Sequence, residues 1–138
     1  MNPIFRNILA VIGGIIIGMI VNMGLIILSP YFIPPPEGVD PSNSESLKAN
    51  MHLFEARHFI MPFLAHALGS FVGALAAGLI AASKKMVFAL VIGLFFLMGG
   101  IASVFMLPSP TWFIFVDLGL AYIPTAIVAG RIASPKTK

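Results

Sequence analysis

The chain has 138 residues, of which 59% are apolar and only 9% are charged. A soluble domain carries roughly 25% charged residues, so this composition, with a mean hydropathy of +1.02, excludes a soluble globule and predicts a surface that mostly faces lipid. The net charge of +3 comes from few, scattered basic residues, which argues against nucleic-acid binding, and the absence of cysteine excludes disulfides and thiolate chemistry.

Four long apolar runs predict an all-α integral membrane fold. A helix needs about 20 apolar residues to cross the hydrocarbon core, and in lipid each span must satisfy its own backbone hydrogen bonds. The predicted spans are residues 7–28, 58–82, 86–106 and 112–133. The first run is longer than the apolar part of a signal peptide, so it is expected to remain as a span. We therefore expect residues 1–138 to form one domain, an antiparallel bundle of four transmembrane helices.

The one long connection, residues 29–57, joins the first two spans. Its first half, residues 34–41, is rich in proline and is predicted to be non-helical. Ser42 stands three residues before Glu45, a capping-box spacing that predicts a short amphipathic helix over residues 44–60. Pro62 then marks either a kink or the first turn of the second span.

Span four contains a second internal proline. Pro124 follows Tyr122 near the middle of the span and predicts a kink. The simplest interpretation is a packing kink, and the functional alternative is a hinge or a carbonyl ligand.

The distribution of basic residues predicts the orientation, because cytoplasmic loops carry an excess of Lys and Arg. In a four-span topology one side holds Lys48 and Arg57 together with four acidic residues. The opposite side holds Arg6, Lys84, Lys85, Arg131, Lys136 and Lys138. The protein is therefore expected in a bacterial inner membrane, with both termini on the cytoplasmic side and the 29–57 loop outside. Trp112 fits an aromatic anchor at the outer interface.

Small residues recur at helical spacing in every span. Such stripes let helix backbones approach closely, either within one bundle or between copies of the chain, and the functional alternative is a glycine-lined ligand path. The stripes are Ala10, Gly14, Gly18 and Asn22 in span one; Gly69, Gly73 and Ala77 in span two; Gly93, Gly99 and Gly100 in span three; and Ala126 and Gly130 in span four.

Three strongly polar side chains lie well inside the apolar spans. At a rise of about 1.5 Å per residue, Asn22, His66 and Asp117 fall about 8–12 Å from the outer ends of their spans, in one layer. Ser70 and Ser103 lie at or near that layer. An unpaired Asp in hydrocarbon is unfavourable by about 2.5–3.5 kcal/mol on the lenient insertion scale. We therefore predict a hydrogen bond between His66 and Asp117, with Asn22 completing the network.

Two interpretations of this polar layer remain open. As a functional site, it binds a proton, a cation or a polar solute, because histidine exchanges a proton near neutral pH. As a structural feature, it fixes the register of the helices through interhelical hydrogen bonds. Glu55, His58, Pro62 and His66 would share a face of a continuous helix and form a polar path from the outer surface.

A metal site in the loop is the weaker alternative. His52, Glu55 and His58 stand three residues apart, but the pattern is not HExxH and Arg57 disfavours a cation. A solvated face beside the membrane is the simpler interpretation, and no metal or cofactor is predicted.

The sequence leaves three functions open. The first is a transporter-like or channel-like protein that uses the polar layer. The second is a non-catalytic membrane subunit that packs against copies of itself or a larger complex, with lipid as its other neighbour. The third is an enzyme acting on a lipid or quinone with His66 as acid or base, which is least supported because no nucleophile, metal set or phosphate-binding loop accompanies the histidine.

Overall fold

The computed structural model describes residues 1–135, which contain helices and turns but no strand. The helices are α1 (Pro3–Phe32), α2 (Ser44–Asn50), α3 (Ile60–Ile80), α4 (Lys85–Met106), α5 (Thr111–Leu120) and α6 (Ile123–Ala133). Four helical stretches, with α5 and α6 together forming the last, are long and apolar enough to cross a membrane. This confirms the all-helical class and the four candidate spans. Lys136 and Lys138, used in the orientation argument, lie outside the described residues.

Helix α1 extends beyond the predicted span of residues 7–28 at both ends. The Asn2 side chain accepts a hydrogen bond from the Ile4 N–H at 2.9 Å and caps the first turn, where Pro3 is favourable. At the other end the Ile33 N–H still donates to the Ser29 carbonyl at 2.9 Å. The helix stops there because Ile33 is extended, as expected before Pro34. Residues 29–32 therefore belong to the helix and not to the loop.

The predicted helix over residues 44–60 is interrupted. Its cap is Asn43, whose side chain accepts from the Glu45 and Ser46 N–H groups, and not Ser42, whose hydroxyl donates to Asp40 at 2.6 Å. The Ser42 hydroxyl, and then its N–H, lower the pKa of the Asp40 carboxyl.

Helix α2 ends at Asn50, and 3-10 turns at Met51–Leu53 and Ala56–Phe59 lead into α3. A new cap separates the two helices, because the Glu55 N–H donates to His58 Nδ1 at 2.8 Å. Pro62 lies in the first turn of α3, the second of the two predicted positions.

The fourth span is broken between α5 and α6 at Ala121 and Tyr122. Pro124 has no N–H, so the carbonyl four residues earlier loses its helical partner. The Thr125 hydroxyl lies 2.7 Å from the Ala121 carbonyl and 2.9 Å from the Tyr122 carbonyl, so its single proton supplies an additional donor to the backbone at the break. The predicted kink is therefore a full break in the helix, two residues before the proline.

Small residues allow α1 and α3 to approach closely. Ala10 is fully buried. A Cβ atom at Gly14 would lie 2.8 Å from the Gly73 carbonyl oxygen, and one at Gly18 would lie 2.7 Å from the Gly69 carbonyl oxygen. The small-residue stripe of the first span thus lies against that of the second, with backbone in contact with backbone.

The remaining core forms where α3, α4 and α6 meet. A Cβ atom at Gly93 would lie 2.5 Å from Ala126, and one at Gly100 would lie 2.5 Å from the Tyr122 hydroxyl oxygen. Gly99 was expected at the same kind of interface, but a Cβ atom added there would meet nothing within 4 Å, because one residue rotates a helix by about 100°. The buried core residues are mostly small: Ala74, Ala77, Ala89, Ala121, Ala126 and Ala129, with Ile92, Phe96 and Tyr122 between them.

Replacing either contact glycine of α1 should destabilise the protein. Gly14→Leu and Gly18→Leu place a side chain against α3 backbone, and such overpacking lowers the free energy of unfolding by about 1–3 kcal/mol. Thermal unfolding in detergent, followed by the fluorescence of Trp112, the sole tryptophan, measures this. Gly24→Leu is the matched control, since Gly24 is on the same helix and a Cβ atom added there would meet no atom within 4 Å. Unfolding of Gly14→Leu and Gly18→Leu at the temperature of the control would contradict the close α1–α3 contact.

Candidate functional site

The predicted hydrogen bond between His66 and Asp117 is present. His66 Nδ1 of α3 lies 2.8 Å from Asp117 Oδ1 of α5. The Asp117 side chain is 7% exposed and the His66 side chain 20%, so the carboxylate has almost no access to solvent. With an ionised Asp117, Nδ1 carries the proton that it donates, and Nε2 is the ring nitrogen left for other partners.

Tyr122 completes the cluster in the place predicted for Asn22. Its hydroxyl donates to Asp117 Oδ2 at 2.8 Å, and its ring stacks on His66 with centroids 5.7 Å apart and an interplanar angle of 26°. Both carboxylate oxygens of Asp117 therefore have a donor. We call His66, Asp117 and Tyr122 the polar cluster.

Tyr122 escaped the sequence analysis because it lies five residues after Asp117. In a continuous helix, residues five apart do not share a face. The break at Ala121 and Tyr122 changes that geometry and brings the hydroxyl back to the carboxylate. The signal that would have revealed it is chemical, because a tyrosine hydroxyl in an apolar span needs a partner and Asp117 is the nearest carboxylate in the sequence.

The other predicted members of the layer lie apart from the polar cluster. Among residues 1–135, no hydrogen bond involves the Asn22 side chain, which packs against Gly69. The Ser70 hydroxyl is fully buried and has no hydrogen-bond partner in the described part of the chain. Ser103 donates to the Gly99 carbonyl one turn back on α4 at 3.1 Å.

One cavity lies between the α1–α3 connection and the helices. This loop-side cavity has a volume of about 230 Å³, far above the roughly 30 Å³ that one water occupies in the liquid. Its lining includes Pro35, Leu47, Phe54, His58, His66 and Asp117. His58, Pro62 and His66 all line it, so part of the predicted polar path exists, although Glu55 does not line it.

A second cavity lies between α1 and α4. This α1–α4 cavity has a volume of about 480 Å³ and is lined by Asn22, Met23, Phe96, Ser103, Tyr122 and His66. Asp117 lines only the loop-side cavity and Tyr122 only the α1–α4 cavity, whereas His66 lines both. The polar cluster therefore stands between two spaces.

The alternative metal site in the loop is not assembled. Within residues 1–135, no group of three or more His, Cys, Asp or Glu side chains could hold a metal ion. His52 is exposed, Glu55 pairs with Arg57 at 3.0 Å, and His58 uses Nδ1 to cap the turn. The backbone is extended at Phe54 and Glu55, between the two 3-10 turns, and this breaks the helical register that would place the three side chains on one face.

Comparison with models of protein families, with curated proteins and with solved structures finds no match. The class that the fold defines is a membrane protein with four apolar helices of spanning length.

Removing the tyrosine hydroxyl should destabilise the helix break. Tyr122→Phe leaves Asp117 Oδ2 without its donor, and a lost hydrogen bond to a charged group lowers the free energy of unfolding by about 1.5–3 kcal/mol. The average for hydrogen bonds between membrane helices is only about 0.6 kcal/mol, and we expect the larger effect because the acceptor is a buried carboxylate. Thermal unfolding measures it.

Ser70→Ala is the control for this variant, since the Ser70 hydroxyl is equally buried but has no partner. It should leave the unfolding temperature unchanged or slightly raised. Equal stability of Tyr122→Phe and the wild type would show that the hydroxyl contributes nothing to the cluster.

Proposed function

We propose that the protein is a small transporter-like membrane protein whose polar cluster binds a proton and a polar solute. The observation that supports this most strongly is the position of His66, which lines both cavities while Asp117 holds its Nδ1. A structural bond between helices requires no cavity beside it, whereas a binding site for a proton and a solute does.

The chemistry of the cluster suits reversible proton binding. Asp117 accepts from His66 and from Tyr122, so the carboxylate stays compensated while the ring nitrogen His66 Nε2 gains or loses a proton. A proton that arrives from one cavity can leave to the other after a small rotation of the ring. The break between α5 and α6 suits such a role, because interrupted helices recur at the binding sites of transporters.

We further propose an antiparallel bundle in a bacterial inner membrane with both termini in the cytoplasm. Arg6, Lys84, Lys85 and Arg131 would then share the cytoplasmic side. In support, Arg6 Nε donates to the Ile80 carbonyl at 2.5 Å, and the Asn7 side chain accepts from the Ala82 N–H at 2.9 Å. The start of α1 therefore lies beside the end of α3 and the Lys84–Lys85 turn. Lipid surrounds the bundle in this arrangement.

The orientation can be tested by cysteine labelling, which has no background because the chain contains no cysteine. Ser42→Cys in the α1–α3 connection and Ser83→Cys in the turn before α4 are both exposed positions. In intact cells, a membrane-impermeant maleimide should modify Ser42→Cys and leave Ser83→Cys unmodified until the membrane is opened. Labelling of both from outside would disprove the proposed topology.

Removing the charge of the cluster should abolish proton flux without unfolding the protein. Asp117→Asn keeps the shape and can still pair with Tyr122 and His66, but it no longer stabilises a protonated His66. In liposomes that contain a pH-sensitive dye, a pH step should relax faster with the wild type than in empty liposomes. Relaxation with Asp117→Asn should match the empty liposomes.

Ser70→Ala serves as the control here too and should keep the flux of the wild type. Thermal unfolding of Asp117→Asn verifies that the variant is folded. Proton exchange at this site would be disproved if the internal pH relaxed no faster in liposomes with wild-type protein than in empty liposomes. It would also be disproved if Asp117→Asn kept the full proton flux.

A further inference from the structure

The loop-side cavity combines an apolar wall with a small number of polar side chains. Its apolar lining includes Leu47, Met51 and Phe54 of the α1–α3 connection together with Phe59 and Phe113. The polar side chains of its lining are three serines, Ser29, Ser103 and Ser109, and the titratable groups His58, His66 and Asp117. Cavities built in this way bind ligands whose larger part is apolar, and the few polar groups orient them.

His58 lines this cavity and carries an unused hydrogen-bond donor. The residue is 7% exposed, and its Nδ1 accepts the Glu55 N–H at 2.8 Å. A neutral imidazole that accepts at Nδ1 carries its proton on Nε2. That Nε2 is buried and has no partner among the described residues. A buried donor without an acceptor is unfavourable, so a ligand whose acceptor atom reaches Nε2–H gains a hydrogen bond that the described part of the chain does not make.

The electrostatics of the cavity favour a neutral head group. None of the residues that line it is Lys or Arg within the described chain. The nearby Arg57 is paired with Glu55 at 3.0 Å, and Lys48 lies 3.5 Å from Glu45. An anionic head would therefore be buried without a cation, which is strongly unfavourable.

A cationic head meets the opposite difficulty. An ammonium group has only donors, and His58 Nε2–H is also a donor. Of the described residues, Asp117 is the one carboxylate in the lining, and both of its oxygens already accept a hydrogen bond within the polar cluster, so its charge is compensated there.

We propose that the loop-side cavity binds a neutral amphiphile, an apolar chain with a carbonyl or hydroxyl oxygen that accepts from His58 Nε2–H. Because Nε2 is out of reach of solvent, binding is accompanied by a shift of the side chains around the His58 ring. Phe54 is one of them, with its ring centroid 5.3 Å from that of His58. The inference goes beyond the proposed function, because the ligand is held at His58, outside the polar cluster, and its binding does not require proton exchange there.

The test compares five probes of similar chain length on the full-length protein in nanodiscs. Decan-2-one and decan-1-ol carry a neutral acceptor, decanoate an anion, decylammonium a cation, and undecane no head group. Binding is measured as the rise in unfolding temperature with the mole fraction of probe, followed by Trp112 fluorescence. We expect the two neutral acceptors to bind about tenfold more tightly than the other three, as one satisfied buried donor implies.

Two substitutions separate the donor of His58 from its role in the turn. His58→Asn can place an amide oxygen where Nδ1 accepts the Glu55 N–H, but it has nothing in place of Nε2–H. It should fold and lose the preference for decan-2-one over undecane. His58→Gln can place an amide N–H near the Nε2 position and should retain part of that preference. His52→Gln, at the exposed histidine of the same segment, is the control and should bind as the wild type does.

The outcomes distinguish this inference from the proposed function. Equal affinity for all five probes, a preference for decanoate or decylammonium, or an unchanged preference in His58→Asn would overturn the neutral-amphiphile site. Butan-2-one that binds as tightly as decan-2-one would also overturn it, because the ligand would then be a small water-soluble solute. Wild-type protein that prefers decan-2-one but shows no proton flux would leave this inference standing alone, and flux without that preference would leave the proposed function standing alone.

Discussion

The buried carboxylate of Asp117 is the constraint on which the arrangement of the helices depends. A charge in hydrocarbon has to find partners inside the protein. Asp117 forms hydrogen bonds with His66 on α3 and with Tyr122 beyond the helix break. A single side chain therefore joins α3, α5 and the start of α6. The break between α5 and α6 is therefore tied to the cluster, because a continuous helix would turn the tyrosine hydroxyl away from the carboxylate.

Close packing of small residues is the complementary feature. Where α1 meets α3, and where α4 meets α6, glycine and alanine bring backbones together. Dispersion contacts at this distance hold membrane helices together in the absence of a hydrophobic driving force between them. Closer to the α1–α3 connection the residues between the helices are large, and space opens there as the loop-side cavity. The tight contact and the cavity thus both follow from the change in side-chain size along the same helices.

The two cavities give the cluster a functional interpretation that packing alone lacks. His66 is held by Asp117 through Nδ1 and lines both spaces, and His58 lines one of them with a donor that nothing in the described chain satisfies. The two histidines have different tasks in our proposals. His66 exchanges a proton within the polar cluster, whereas His58 binds the head of a neutral ligand, so proton exchange and ligand affinity are separable by substitution.

The sequence by itself determined the membrane class, the four apolar helices, the stripes of α1 and α3, and the need of Asp117 for His66. These follow from local composition, from the 3.6-residue period and from the energy of a charge in lipid. Only the tertiary structure decided that Tyr122 replaces Asn22, that Gly99 faces away from its neighbours, that Asn43 caps α2, and that cavities flank His66. Those outcomes depend on the rotation of each helix about its axis and on the position of a backbone break, which a change of one residue alters by about 100°.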